Sequence, residues 1–210
     1  MKPYPAANIR NVALVGHGGS GKTSLAEAML HQAGAVTRQG RVEEGNTVSD
    51  FDPDEQRRVT SINAAILPLE WNGSKINVFD TPGYADFAGE VKEALRVSDS
   101  VVIVVCGVNG VEVGTDLVTD YADERKLARM YVINRLDREH ADFDQVMAQI
   151  EERNPKAVAL QLPLGQEHDF KGVIDLLSER AYTFKQGKPT EGDIPPEFAD
   201  EVAARREKLI

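Results

Sequence analysis

Short apolar runs alternate along the chain with stretches whose apolar residues recur every three or four positions. Asn11-Val12-Ala13-Leu14-Val15 reads as a buried strand, and Leu25, Ala28 and Met29 then share one face of a helix. Residues 34–61 are polar, without clean periodicity, and predict a long loop that is functional or mobile. Ile62 to Glu70 and Lys75 to Phe79 read as two strands joined at Asn72-Gly73, a hairpin signal. Phe87, Val91, Ala94 and Leu95 mark a helix. The β-branched run Val101 to Cys106 marks a fully buried strand. Val113, Leu117 and Tyr121 predict a helix, Met130 to Ile133 a strand, and Phe143, Val146, Met147 and Ile150 a further helix. Strands alternating with helices predict an α/β fold: a mostly parallel sheet flanked by helices, with one antiparallel hairpin.

The pattern changes near residue 157. Val158 to Leu162 and Gly172 to Leu176 are candidate strands, Lys185 to Pro196 reads as a loop, and Glu197 to Ile210 as a charged helix with no Gly or Pro stop. A nucleotide-binding domain over 1–157 and a second, partial unit over 158–210 are expected, with the chain ending inside an element.

Composition narrows the classes. The net charge of −10 disfavours nonspecific nucleic-acid binding. No apolar run is long enough to span a bilayer, and Met1-Lys2-Pro3-Tyr4-Pro5 lacks the apolar core of a signal peptide. The single cysteine, Cys106, lies in an apolar strand, which predicts a buried, inert thiol and a cytoplasmic setting.

Three motifs fall directly after predicted strands, where α/β sheets bind ligands. Gly16-His17-Gly18-Gly19-Ser20-Gly21-Lys22-Thr23, followed by Ser24, has the G-x-x-x-x-G-K-[ST] spacing. Its backbone N–H groups can cradle phosphates, Lys22 can reach the β- and γ-phosphates, and the Thr23 hydroxyl can ligate Mg2+. Asp80-Thr81-Pro82-Gly83 supplies a carboxylate for Mg2+ through a water and a Gly83 N–H for the γ-phosphate. Asn134-Arg135-Leu136-Asp137 is similar to the N-K-x-D guanine signature. There the Asp137 carboxylate would accept from guanine N1–H and its amine, which adenine cannot offer. Arg135 would cover the base plane in place of Lys. A P-loop ATPase or kinase is disfavoured by this third motif.

On these residues, with Tyr84-Ala85-Asp86-Phe87, Arg138, Gln161-Leu162-Pro163-Leu164-Gly165 and Phe170-Lys171-Gly172-Val173-Ile174-Asp175-Leu176, the chain resembles the GTP-binding domain of translational GTPases of the elongation factor G family. The resemblance implies a P-loop G domain that binds GTP/GDP with Mg2+, hydrolyses GTP and acts on the ribosome in translocation. It implies that 158–210 begins a G′ insert that meets the stalk protein of the large subunit, that nucleic acid is met only through the ribosome, and that the protein is monomeric. It also implies that γ-phosphate orders residues 36–62 and 80–90.

The sequence departs from that family in several places. Tyr84 stands where a water-positioning His is usual, and a phenol is a poor base at neutral pH. The loop ends Arg58-Val59-Thr60-Ser61-Ile62, which puts Ser61 at the Mg2+-ligating Thr, with Thr60 the alternative one residue earlier. Gly19 replaces an Asp common in the P-loop, and His17 matches a family His. The last guanine motif, a Ser-Ala turn, is not among the 210 residues, which predicts weakened nucleotide affinity for this chain. Tyr84, Lys22 and Gly83 are the candidate catalytic residues. A GTP-binding switch with little hydrolysis, and a ribosome-protection protein of the tetracycline-resistance type, are the competing expectations.

Overall fold

The computed structural model describes residues 2–185 and 187–210. Met1, and Gln186 in the predicted 185–196 loop, lie outside the described residues. Two compact units are formed. One comprises Met1–Cys106 with Glu112–Asn134, the other Gly107–Val111 with Arg135–Ile210.

The first unit is built on five strands: β1 (Ile9–Val15), β2 (Ala65–Trp71), β3 (Ser74–Asp80), β4 (Ser100–Cys106) and β5 (Ala128–Asn134). Their spatial order is β2-β3-β1-β4-β5. Only the β2–β3 pair is antiparallel, turning at Asn72-Gly73 as the sequence predicts. In the parallel register Leu14 lies beside Asp80 and Cys106 beside Asn134, so β1, β3, β4 and β5 all end at one edge. Leu14, Val78, Leu67 and Leu69 form a core with Ala26 and Leu30 of α1 (Lys22–Gln32). Ala13 and Val15, on the alternate side of β1, are equally buried, so both sheet faces are covered. The helices α3 (Ala88–Val97) and α4 (Val113–Glu124) pack on each other and on β1 and β4 respectively. Cys106 is buried and free.

Two helix faces are rotated from expectation. In α1 the most buried positions are Lys22, Thr23, Ala26, Glu27 and Leu30, while Leu25, Ala28 and Met29 are half-buried. In α4 the buried set is Thr115, Val118, Thr119 and Ala122, and Val113 points to solvent. In both, polar side chains occupy core positions because they find partners there; Thr119 Oγ1, for example, donates to Thr115 O at 2.7 Å. The predicted loop 34–61 contains a short helix, α2 (Pro53–Arg58), which its capping box, Asp52 with Glu55, stabilises.

In the second unit, α5 (Phe143–Arg153) buries Val146, Met147 and Ile150, three of its four predicted core positions. Four antiparallel strands follow in sequential order: β6 (Gln161–Leu164), β7 (Gly172–Asp175), β8 (Arg180–Lys185) and β9 (Lys188–Gly192). The first of these starts three residues later than predicted. The β8–β9 hairpin replaces most of the predicted loop; β9 is an all-exposed edge strand carrying Pro189, which gives no alternating signal. Helix α6 (Ala199–Leu209) seats Val202 against Leu162, Leu164, Ile174 and Leu176.

Candidate nucleotide site

The glycine-rich loop leaves β1 at Gly16 and enters α1 through Gly21, whose φ of +100° is open to glycine alone at low cost. A Cβ at Gly21 would stand 2.3 Å from Asn134 Nδ2, so the loop and the end of β5 touch. Asn134 Nδ2 also donates to Ser20 O at 3.0 Å. Asn134 therefore ties the end of β5 to the glycine-rich loop.

Lys22, 6% exposed, lies folded within the loop, with Nζ 3.0 Å from Gly16 O and from His17 O. Burial pushes its pKa down to about 8, against the opposing pull of the Asp80 and Asp50 charges. Gly83 meets the same place from the other side: a Cβ there would be 2.5 Å from Lys22 Nζ and 2.6 Å from Gly18 N. The Tyr84 ring rests on Gly18, where an added Cβ would lie 3.0 Å from Cζ, and the residue is half exposed. His17 faces the start of α4, with Nε2 3.5 Å from Glu112 Oε1.

Asp80 is 1% exposed, and neither carboxylate oxygen makes a hydrogen bond of good geometry. Burial raises its pKa to about 6, while the nearby Thr23 and Ser49 hydroxyls and Lys22 work in the opposite direction. Thr81 Oγ1 donates to Leu14 O at 2.7 Å and fixes the chain just past β3. Thr23 Oγ1 lies 3.3 Å from Ser61 Oγ. Thr60 Oγ1 instead donates to Arg58 O at 3.2 Å, so of the two hydroxyls it is Ser61 that meets the P-loop. The donor set fits a hard divalent cation: two hydroxyls side by side and a buried carboxylate whose oxygens lack partners.

Several residues that the sequence reading passed over organise this region. Asp50 is 4% exposed, and burial raises its pKa, with Ser61 and Thr47 hydrogen bonds acting the other way. Glu27 is fully buried on α1; its Oε2 accepts from Gly40 N–H at 2.7 Å and its Oε1 from Val48 N–H at 2.5 Å. Glu90 Oε2 accepts from Ala64 N–H at 2.8 Å. A carboxylate in an amphipathic pattern reads as solvent-facing, and only long-range pairing with backbone donors puts it inside. The capping box at Asp52 and Glu55 was the one local signal available.

Arg135 and Asp137 belong to the second unit. Arg135 has φ +63°, Asp137 is exposed, and their turn is fastened where Glu167 N–H donates to Leu136 O at 3.1 Å. Gly19, exposed at φ +79°, has open space where a side chain would stand. Ser24 is exposed on the first turn of α1.

A parallel sheet whose strands end in a glycine loop, a buried Asp and an Asn defines a P-loop nucleotide-binding domain. Residues 7–193 match the family described as the elongation factor Tu GTP binding domain. The chain belongs to that family and is a GTP-binding domain of the G-domain fold. It is 40% identical to elongation factor G 2 of Streptomyces coelicolor over 212 aligned residues, all of this chain and 31% of that protein. A crystal structure of a Thermus thermophilus protein superposes with a TM-score of 0.93 at 36% identity, over 97% of this chain and 31% of the other. The chain therefore spans about a third of the length of these relatives. Among the described residues, no helix is long and apolar enough to cross a membrane.

Proposed function

We propose that this chain is the GTP-binding and GTP-hydrolysing switch of an elongation factor G-like protein acting on the ribosome during translocation. The observation that carries the reading is Asp80: a fully buried carboxylate without partners, beside Lys22 and the paired hydroxyls of Thr23 and Ser61. The backbone of residues 16–21, with Thr23 and Ser24, cradles the phosphates, and Lys22 leaves its two carbonyl partners to neutralise the β- and γ-oxygens. Thr23, Ser61 and, through a water, Asp80 would hold Mg2+, which would supply Lewis acidity that offsets charge on the phosphoryl oxygens. The Gly83 N–H bonds the γ-phosphate, and Tyr84 hydrogen-bonds the attacking water. Water oxygen then joins the γ-phosphorus as the bond between that phosphorus and the β–γ bridging oxygen breaks; GDP leaves with the bridging oxygen, and the water's proton passes to the released phosphate. Asn134, Arg135 and Asp137 read guanine.

Residues 1–157 serve as the G domain and 158–210 as part of a G′ insert that meets the ribosomal stalk protein. The protein works as a cytoplasmic monomer, and nucleic acid is met only through the ribosome. Tyr84 supports a second reading, a switch with little hydrolysis of its own, because its half-exposed phenol stands where a titratable imidazole is expected. Single-turnover GTP hydrolysis by the full-length protein, with and without ribosomes, decides between them. Ribosome-stimulated turnover is expected; tight GTP binding with no turnover in either condition would select the second reading. Equal competition by GDP and ADP would refute both.

A further inference from the structure

Ser61 is held from both sides by one buried residue, through its main-chain carbonyl before and its carboxylate after, and that residue touches neither hydroxyl of the Thr23–Ser61 pair. Glu55 on α2 is 1% exposed. Its Oε1 accepts from the backbone N–H groups of Ile62 and Asn63, each at 2.9 Å, and its Oε2 from Asp52 N–H at 3.2 Å. Its own carbonyl accepts from Thr60 N–H at 3.1 Å. The residues before and after Ser61 are thus both tied to Glu55. Between helix and tie the chain passes through Val59 at φ +55°, a conformation that a β-branched residue keeps only when its surroundings impose it. Charge-assisted bonds to three backbone donors supply that constraint.

We infer that Glu55 is a positioning residue for the cation site: by fixing the backbone at 60–63 it sets the Ser61 hydroxyl against Thr23. The inference rests on the function proposed above. An amide in place of the carboxylate keeps the shape, weakens the acceptor toward Ile62 and Asn63, and turns an N–H toward the donor of Asp52.

The test is Mg2+-dependent GTP binding by the full-length protein, with amide hydrogen exchange at residues 60–64 as a second readout. E55Q is expected to raise the Mg2+ concentration for half-maximal GTP binding roughly tenfold. It should also speed exchange at 60–64, measured without nucleotide. In an S61A background the same change should shift the Mg2+ dependence no further, since the effect passes through that hydroxyl. Should E55Q not fold, D52A loosens the same capping box and is expected to move the Mg2+ dependence the same way, roughly threefold. An E55Q protein with wild-type Mg2+ dependence, or a shift that persists in S61A, overturns the inference alone. Absence of Mg2+-dependent GTP binding in the unmodified protein would refute the functional reading, and the inference with it.

Discussion

Replacing Asp80 with asparagine is expected to stabilise the nucleotide-free protein while disabling its site. The carboxyl is buried without partners, and burial lifts its pKa from 3.8 to about 6. A folded-state pKa above the unfolded one means that the folded chain holds the proton more tightly. Stability is then greatest below the unfolded pKa, falls as pH rises through the window from about 4 to about 6, and stays lowered above it. At about 1.4 kcal/mol per pH unit, the cost at neutral pH is about 3 kcal/mol, and D80N removes it. At about pH 4.5 the folded carboxyl is already mostly protonated while the unfolded one is still mostly ionised, so the advantage shrinks to about 1 kcal/mol. Urea melts of both proteins in EDTA, at the two pH values, read the difference directly. Titration of GDP with Mg2+ should meanwhile show a large loss of affinity in D80N. A variant less stable than the parent at neutral pH, or an advantage that does not shrink on acidification, would refute the reasoning.

Two other outcomes follow from the same geometry. G21A combines a φ of +100° with a Cβ 2.3 Å from Asn134 Nδ2, whereas G19A, at φ +79°, has open space; urea melts should show a loss of about 2 kcal/mol or more for G21A and about 1 kcal/mol for G19A. Burial depresses Lys22 to about 8, and polyphosphate raises it again. GDP binding near about pH 8.5 should therefore take up a proton, seen as buffer-dependent heats in calorimetry; heats independent of the buffer's ionisation enthalpy would contradict the placement of Lys22.

The parts legible in the sequence are those whose chemistry is local. The P-loop spacing, the Asp80 strand end and the Asn72-Gly73 turn each carry their own residue code, and β-branched runs marked β4 and β5. The loop between α1 and β2 was illegible for a physical reason. Its order comes from Glu27, Glu55 and Glu90 accepting from backbone N–H groups as far as 26 residues away in sequence, and apart from the capping box at Asp52 and Glu55 nothing in a charged residue's neighbours announces such pairing. Helix α4 misled for a related reason: Thr115 and Thr119 occupy its buried face, while the apolar Val113 does not. Strand β9 lacked any apolar face to detect.

The contact of the Tyr84 ring with Gly18 couples two positions that lie 66 residues apart in the chain. A methyl group at 18 crowds a six-membered ring at 84, and the smaller imidazole of a histidine would relax that crowding. Substitutions at the two positions should thus be epistatic: a side chain at 18 asks the tyrosine ring to give by a few tenths of an ångström, and exchanging the aromatic residue first removes that demand.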